Sequence, residues 1–247
     1  MTERPPIIIV GANHSGTRLL VDMLRVLGSA AGRIGNEWLE DEGFLEIHRR
    51  LIGKVTGKRW TEAIFDLRFV REYRDEGLYV AEIKTWLEDT LPPSFPDRTR
   101  PWHWKCPTTA LFLQSWIEIY PDALYVHLER DPLEVARSLV RRRQFLGFGR
   151  AAAFCEAMNQ RVLDARPAMK NYLRISVENL AEELPVLAGK AGLAPTGQQL
   201  AEARGMIRPA PLRGWRSNRS LLGNLWEAAT NARAAVHARG GRRRRGG

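Results

Sequence analysis

The chain has 247 residues, 44% of them hydrophobic and 27% charged, with a formal net charge of +10. That length suffices for one large α/β domain or two small ones, and the composition is that of a globular protein rather than a disordered or fibrous one. No apolar run approaches the ~20 residues of a membrane span, the first strand follows the N-terminus too closely for a signal peptide, and two cysteines make no disulfide framework. A reducing cytoplasm is therefore the expected location. The positive charge points to an anionic partner. Four of its ten units lie in the terminal Arg242–Arg245 run, leaving +6 on the rest. That run reads as a solvated tail, with contact to RNA or membrane as the alternative, and no nucleic-acid-binding motif appears elsewhere.

In chain order, the apolar run Ile7–Val10 predicts a buried strand. Thr17 to Gly28 follows as a helix with Leu19, Leu20, Met23, Leu24 and Leu27 on one face. Residues 61–76 and 81–91 pattern as helices, and the proline-rich segment 91–101 ends that region. Trp102–Lys105 predicts a second strand, and 107–120 a helix opened by Pro107. Leu124–Leu128 predicts a strand, followed by a helix with Asp131 as N-cap and Pro132 at its first position. Tyr172–Ser176 predicts the last strand. Strands alternating with helices imply an α/β fold: a P-loop-containing three-layer arrangement with a central parallel sheet flanked by helices. One domain is expected over 1–238, with a basic tail over 239–247. The pattern loosens after Gly205, and Leu221–Arg239 again reads as helix.

The segment after the first strand, Gly11-Ala-Asn-His-Ser-Gly16-Thr-Arg18, keeps the glycine spacing of a Walker A loop but lacks its lysine and magnesium-binding hydroxyl. Amides from Asn13 to Thr17 can still converge on an anion at the helix N-terminus. A second cluster, Glu129-Arg130-Asp131-Pro132 with Ser138 beyond, places Arg130 at the C-terminal end of a strand, where open α/β sheets bind ligands. A structural Arg–Asp pair would read the same way.

Together these segments resemble the sulfotransferases that use 3′-phosphoadenosine 5′-phosphosulfate (PAPS), whose loop runs Gly-x-Pro-Arg/Lys-Ser-Gly-Thr-Thr and whose later strand ends in Arg-Asp-Pro. The resemblance covers residues 6 to 193. It implies that Gly11, Ser15, Gly16 and Thr17 hold the 5′-phosphosulfate and that Arg130 and Ser138 hold the 3′-phosphate, with Asn13, His14 and Arg18 of the same loop as further candidate contacts to the donor. It implies PAPS as sulfuryl donor, no metal, and a hydroxyl or amine of a small molecule or glycan as acceptor. A non-catalytic nucleotide- or anion-binding protein on the same fold, or a P-loop kinase, stands as the alternative.

Asn13-His14 replaces the family's Pro-Arg or Pro-Lys, so His14 in protonated form, Arg18 or Lys105 must supply the charge on the leaving group. The resemblance makes Glu37 the first choice of general base, with Glu42 and Glu46 in reserve, and Lys105 a contact to the sulfuryl or leaving oxygen. His48 reads as a surface residue, and His103 as structural as readily as functional. Cys106 lacks the partners of a nucleophile. Trp38, Trp102 and Trp104 are compatible with an acceptor-stacking surface, while Arg213 and Arg216, beside Trp215, form a candidate loop over the adenine and 3′-phosphate.

Overall fold

The computed structural model describes residues 3–32, 39–94, 97–145 and 147–207. Glu37, Trp38, Arg213, Trp215, Arg216 and the expected boundary at 238 lie outside the described residues. Residues up to Ile207 form one unit. Five parallel strands, β1 (Ile7–Val10), β2 (Ala30–Ala31), β3 (Trp102–Lys105), β4 (Leu124–Glu129) and β5 (Asn171–Ser176), make one sheet in the order β2-β3-β1-β4-β5. The four expected strands are all present. β2 was not anticipated, since two alanines carry no strand period.

Because helices cover both faces, β1 is apolar at every position rather than at alternate ones. Ile8 and Val10 pack on one side with Phe44, Trp104 and Trp116, while Ile7 and Ile9 pack on the other with Leu20, Leu24 and Leu184. Each fully buried isoleucine contributes about 1.5–3 kcal/mol of transfer free energy. The second face is covered by α1 (Thr17–Val26), α9 (Leu180–Lys190) and α10 (Gly197–Gly205). The first is covered by α2 (Glu42–Thr56), α3 (Trp60–Ala63), α4 (Leu67–Glu72), α5 (Val80–Ser94), α6 (Leu113–Ile119), α7 (Pro132–Arg141) and α8 (Phe148–Ala165).

Three helix expectations need amendment. The stretch 61–76 is two short helices, because the Asp66 carboxylate accepts from the amides of Arg68 and Phe69 and starts α4 afresh. Residues 107–120 begin as a 3₁₀ turn over Pro107–Leu111 and become α-helical after Phe112, whose backbone (φ −122°, ψ 31°) is not helical. The helix expected over 81–91 extends to Ser94, past Pro92 and Pro93. No helix among the described residues is long and apolar enough to cross a membrane.

Candidate functional site

The strand order puts β1 between β3 and β4, so the loop leaving β1 opens between their C-terminal ends. Register sets Ile9 beside Lys105 on one side and beside Val126 on the other. This is the crevice where parallel sheets of this kind bind ligands. The loop's shape follows from its glycines. Gly11 has φ +149°, and a Cβ there would stand 2.5 Å from the Leu128 carbonyl oxygen, so only glycine lets the loop lie against β4.

His14 (φ 66°) and Gly16 (φ 93°) are both left-handed, and the Ser15 amide donates to the Ala12 carbonyl at 3.2 Å. Backbones that alternate in this way gather amides into an anion nest. Gly16 is also the N-cap of α1, and no side chain caps that helix. The Ser15 hydroxyl is buried inside the loop and has no hydrogen-bond partner among the described residues. A buried hydroxyl left unpaired costs about 1–3 kcal/mol, a cost that a polar ligand in the loop would remove. Asn13 is half-buried, Thr17 is buried, and Arg18 projects into solvent from the first turn of α1.

Arg130 follows β4 at the other side of the crevice. Its Nε and Nη2 donate to one oxygen of Glu134, at 2.9 and 2.7 Å. Asp131 is the expected N-cap of α7, accepting from the Leu133 amide at 2.9 Å, so the Arg-Asp-Pro segment folds as the sequence indicates. Ser138 lies two turns further along α7 and is half-buried. Beside them Glu129 pairs with Arg174 at 2.7 Å and with His127 at 3.6 Å.

The far end of α7 meets the loop. The Arg143 amide donates to the Val140 carbonyl (2.9 Å) and the Gln144 amide to the Leu139 carbonyl (3.0 Å), the paired bonds of a Schellman end. Arg143 takes the left-handed position (φ 57°) that glycine usually fills. The turn delivers the Gln144 Oε1 to 2.8 Å from His14 Nε2. A carbonyl oxygen only accepts, so Nε2 carries the proton. Burial lowers the His14 pKa, the Gln144 bond partly opposes this, and the positive charges of Arg142, Lys105 and Arg141 lower it further. In the free protein these effects favour the neutral imidazole, against the expectation that His14 supplies a protonated charge.

Lys105 ends β3 and is only 6% exposed. Its ammonium is 3.3 Å from Glu40, itself buried. Glu40 did not stand out in the sequence among its acidic neighbours. The available signal was chemical: a lysine buried at a strand end needs a carboxylate, and the segment 37–42 holds four acidic residues. Glu42 and Glu46 lie on the exposed face of α2.

The surface placement expected for His48 is wrong. It is fully buried, accepting from Trp116 Nε1 at 2.9 Å and reaching Cys106 Sγ at 3.3 Å through its other nitrogen. Burial lowers its pKa to about 3. His103 is buried against Ser29 (2.8 Å), with its pKa also lowered to about 3, chiefly by burial. Cys106 is buried and its thiol pushed up to about 12, again chiefly by burial, so it is no nucleophile. Trp102 and Trp104 are core residues, each 1% exposed, and offer no surface for acceptor stacking.

Comparison with known proteins bears on the fold and the family. A family model described as "Sulfotransferase family" matches residues 5–183. No curated protein matches the chain. Among solved structures, the sulfotransferase domain of the Synechococcus PCC 7002 olefin synthase is 19% identical with a TM-score of 0.55, covering 85% of this chain and 82% of that one. Sulfotransferase STF9 from Mycobacterium avium is 16% identical with a TM-score of 0.53, covering 85% and 69%. A sulfotransferase domain from the curacin biosynthetic pathway is 18% identical with a TM-score of 0.50, covering 82% and 78%. At these identities the solved structures speak for the fold, and the match over residues 5–183 speaks for the family. The chain belongs to the sulfotransferase family.

Proposed function

We propose that the protein transfers a sulfuryl group from PAPS to a hydroxyl or amine of a small molecule or glycan, in a reducing cytoplasm. The observation that carries this reading is the Ser15 hydroxyl, buried and unpartnered among the described residues, in a loop that lies against β4, the strand that Arg130 follows. Bound there, PAPS would supply an activated sulfuryl group on a phosphate leaving group.

The chain's residues supply the rest. The amides of Asn13 to Thr17 and the Ser15 hydroxyl hold the 5′ end, while Arg130 and Ser138 hold the 3′-phosphate once Arg130 turns from Glu134. Lys105, desolvated at the strand end, faces the sulfuryl oxygens with a charge that water does not screen. Family membership sets the P-loop kinase reading aside, and a binder without catalysis would retain nucleotide affinity without turnover.

Glu37 and Glu40 are the two carboxylates for removing the acceptor's proton. Glu40 is held 3.3 Å from the Lys105 ammonium, close to where the sulfuryl group would sit. Calorimetry with 3′-phosphoadenosine 5′-phosphate (PAP) should show binding, and absence of binding at physiological salt would overturn the reading. Turnover of PAPS across an acceptor panel, measured for Glu37→Gln and Glu40→Gln, identifies the base: the variant that loses turnover while keeping PAP affinity has lost it.

A further inference from the structure

The loop lacks the lysine of a Walker A loop, Arg18 at its end projects into solvent, and burial leaves the His14 side chain without a permanent charge. A multiply charged phosphate end still requires one. The surroundings of His14 show where it comes from. Across 130 positions of sequence, its ring is hydrogen-bonded to Gln144, the residue that closes the Schellman end of α7. That closure depends on Arg143 holding a left-handed backbone, which costs a non-glycine residue about 1–2 kcal/mol. Strain of this kind persists where the surrounding structure demands it. The turn sets the run Arg141, Arg142 and Arg143 immediately before Gln144, the residue that touches the loop.

We propose that the loop's cation is Arg142, supported by Arg141 and delivered from the end of α7, and that the His14–Gln144 hydrogen bond is the joint that seats it. Arg142, Lys105 and Arg141 are the charges that bear on His14, and Glu40 is the carboxylate paired with Lys105. His14 thus serves as a neutral positioning residue. Its imidazole Nε2–H is a donor of fixed direction, whereas an arginine or lysine at position 14 would repel the incoming Arg142.

The inference rests on the PAPS reading, and two nucleotides separate the ways it can fail. Adenosine 3′-monophosphate has the 3′-phosphate and lacks the 5′ one, while PAP has both. In calorimetry on the full chain, Arg142→Ala should weaken PAP by about ten- to a hundredfold, the loss of one charge-assisted hydrogen bond, and leave adenosine 3′-monophosphate unchanged. Arg142→Lys should retain most PAP affinity. His14→Lys placed in Arg142→Ala should recover part of the loss, because the charge returns from within the loop. Gln144→Ala should weaken PAP alone, by less than Arg142→Ala. Equal losses for both nucleotides, no loss at all, or a lowered melting temperature without a change in PAP affinity would overturn the inference and leave Arg142 as a helix-terminal cation only. If the wild-type chain binds neither nucleotide, the PAPS reading itself falls, and this inference with it.

Discussion

Replacing Arg130 with alanine tests the 3′-phosphate contact, and the structure sets the size of the effect. In the free protein the guanidinium already has a partner, Glu134, with side-chain exposures of 30% and 21%. A partly exposed i,i+4 pair of this kind is worth about 0.3–0.5 kcal/mol. A phosphate contact through charge-assisted hydrogen bonds is worth about 1.5–3 kcal/mol, and binding must first release the pair. Arg130→Ala should therefore cost about 1–3 kcal/mol net, a PAP Kd roughly 5- to 150-fold weaker. Glu134→Gln removes the competitor and should tighten PAP by up to about 0.5 kcal/mol, near twofold. Both belong in isothermal titration at one ionic strength, since a half-exposed pair is screened by salt. Unchanged affinity in Arg130→Ala would remove Arg130 from the site. Weaker binding in Glu134→Gln would show that the carboxylate orients the guanidinium for its ligand instead of competing for it.

Three further outcomes follow from the buried groups and the loop. His48 has its pKa lowered to about 3, so as pH falls from about 6.5 the unfolded chain takes up a proton that the folded chain refuses. Stability then drops by about 1.4 kcal/mol per pH unit from this residue, and His48→Gln should flatten the pH dependence of the unfolding free energy from urea titrations by about that amount between pH 6 and 5; an unaltered slope would refute it. Cys106 and Cys155, both buried with thiols pushed up to about 12, should resist an aromatic disulfide reagent until the protein is denatured, and prompt reaction of the native protein would contradict their burial. Gly11→Ala should abolish PAP binding and lower the melting temperature, because its Cβ would meet the Leu128 carbonyl at 2.5 Å, whereas Gly53→Ala, in open space on α2, should stabilise by about 0.5–1 kcal/mol. Wild-type behaviour of Gly11→Ala would disprove the close approach to β4.

The parts of this molecule legible in the sequence are those specified locally. Four short strands with apolar or aromatic runs, the glycine-bounded loop and the Asp131-Pro132 start of α7 each depend on a few adjacent residues. His48 was legible too: Phe44, Ile47, His48, Leu51 and Ile52 share one helix face, and its polarity outweighed its position. The pairs that complete the site were not. Lys105 meets Glu40, and His14 meets Gln144, only once the sheet order has set β3 and α7 against the loop. The end of α7 was hidden for another reason. The left-handed position that signals a Schellman end is ordinarily glycine, and here it is Arg143 within a run of like residues.

On the proposed reading, one helix touches both ends of the donor: α7 begins beside Arg130 and finishes at the loop. Ser138 and Arg142 lie four residues apart, about 6 Å at ~1.5 Å per residue, and a hydrogen-bonded helix neither stretches nor shortens. That makes α7 a gauge block. A nucleotide is admitted by the separation of its two anionic groups as much as by its base, and a donor with its charges differently spaced can satisfy one jaw of the gauge but never both.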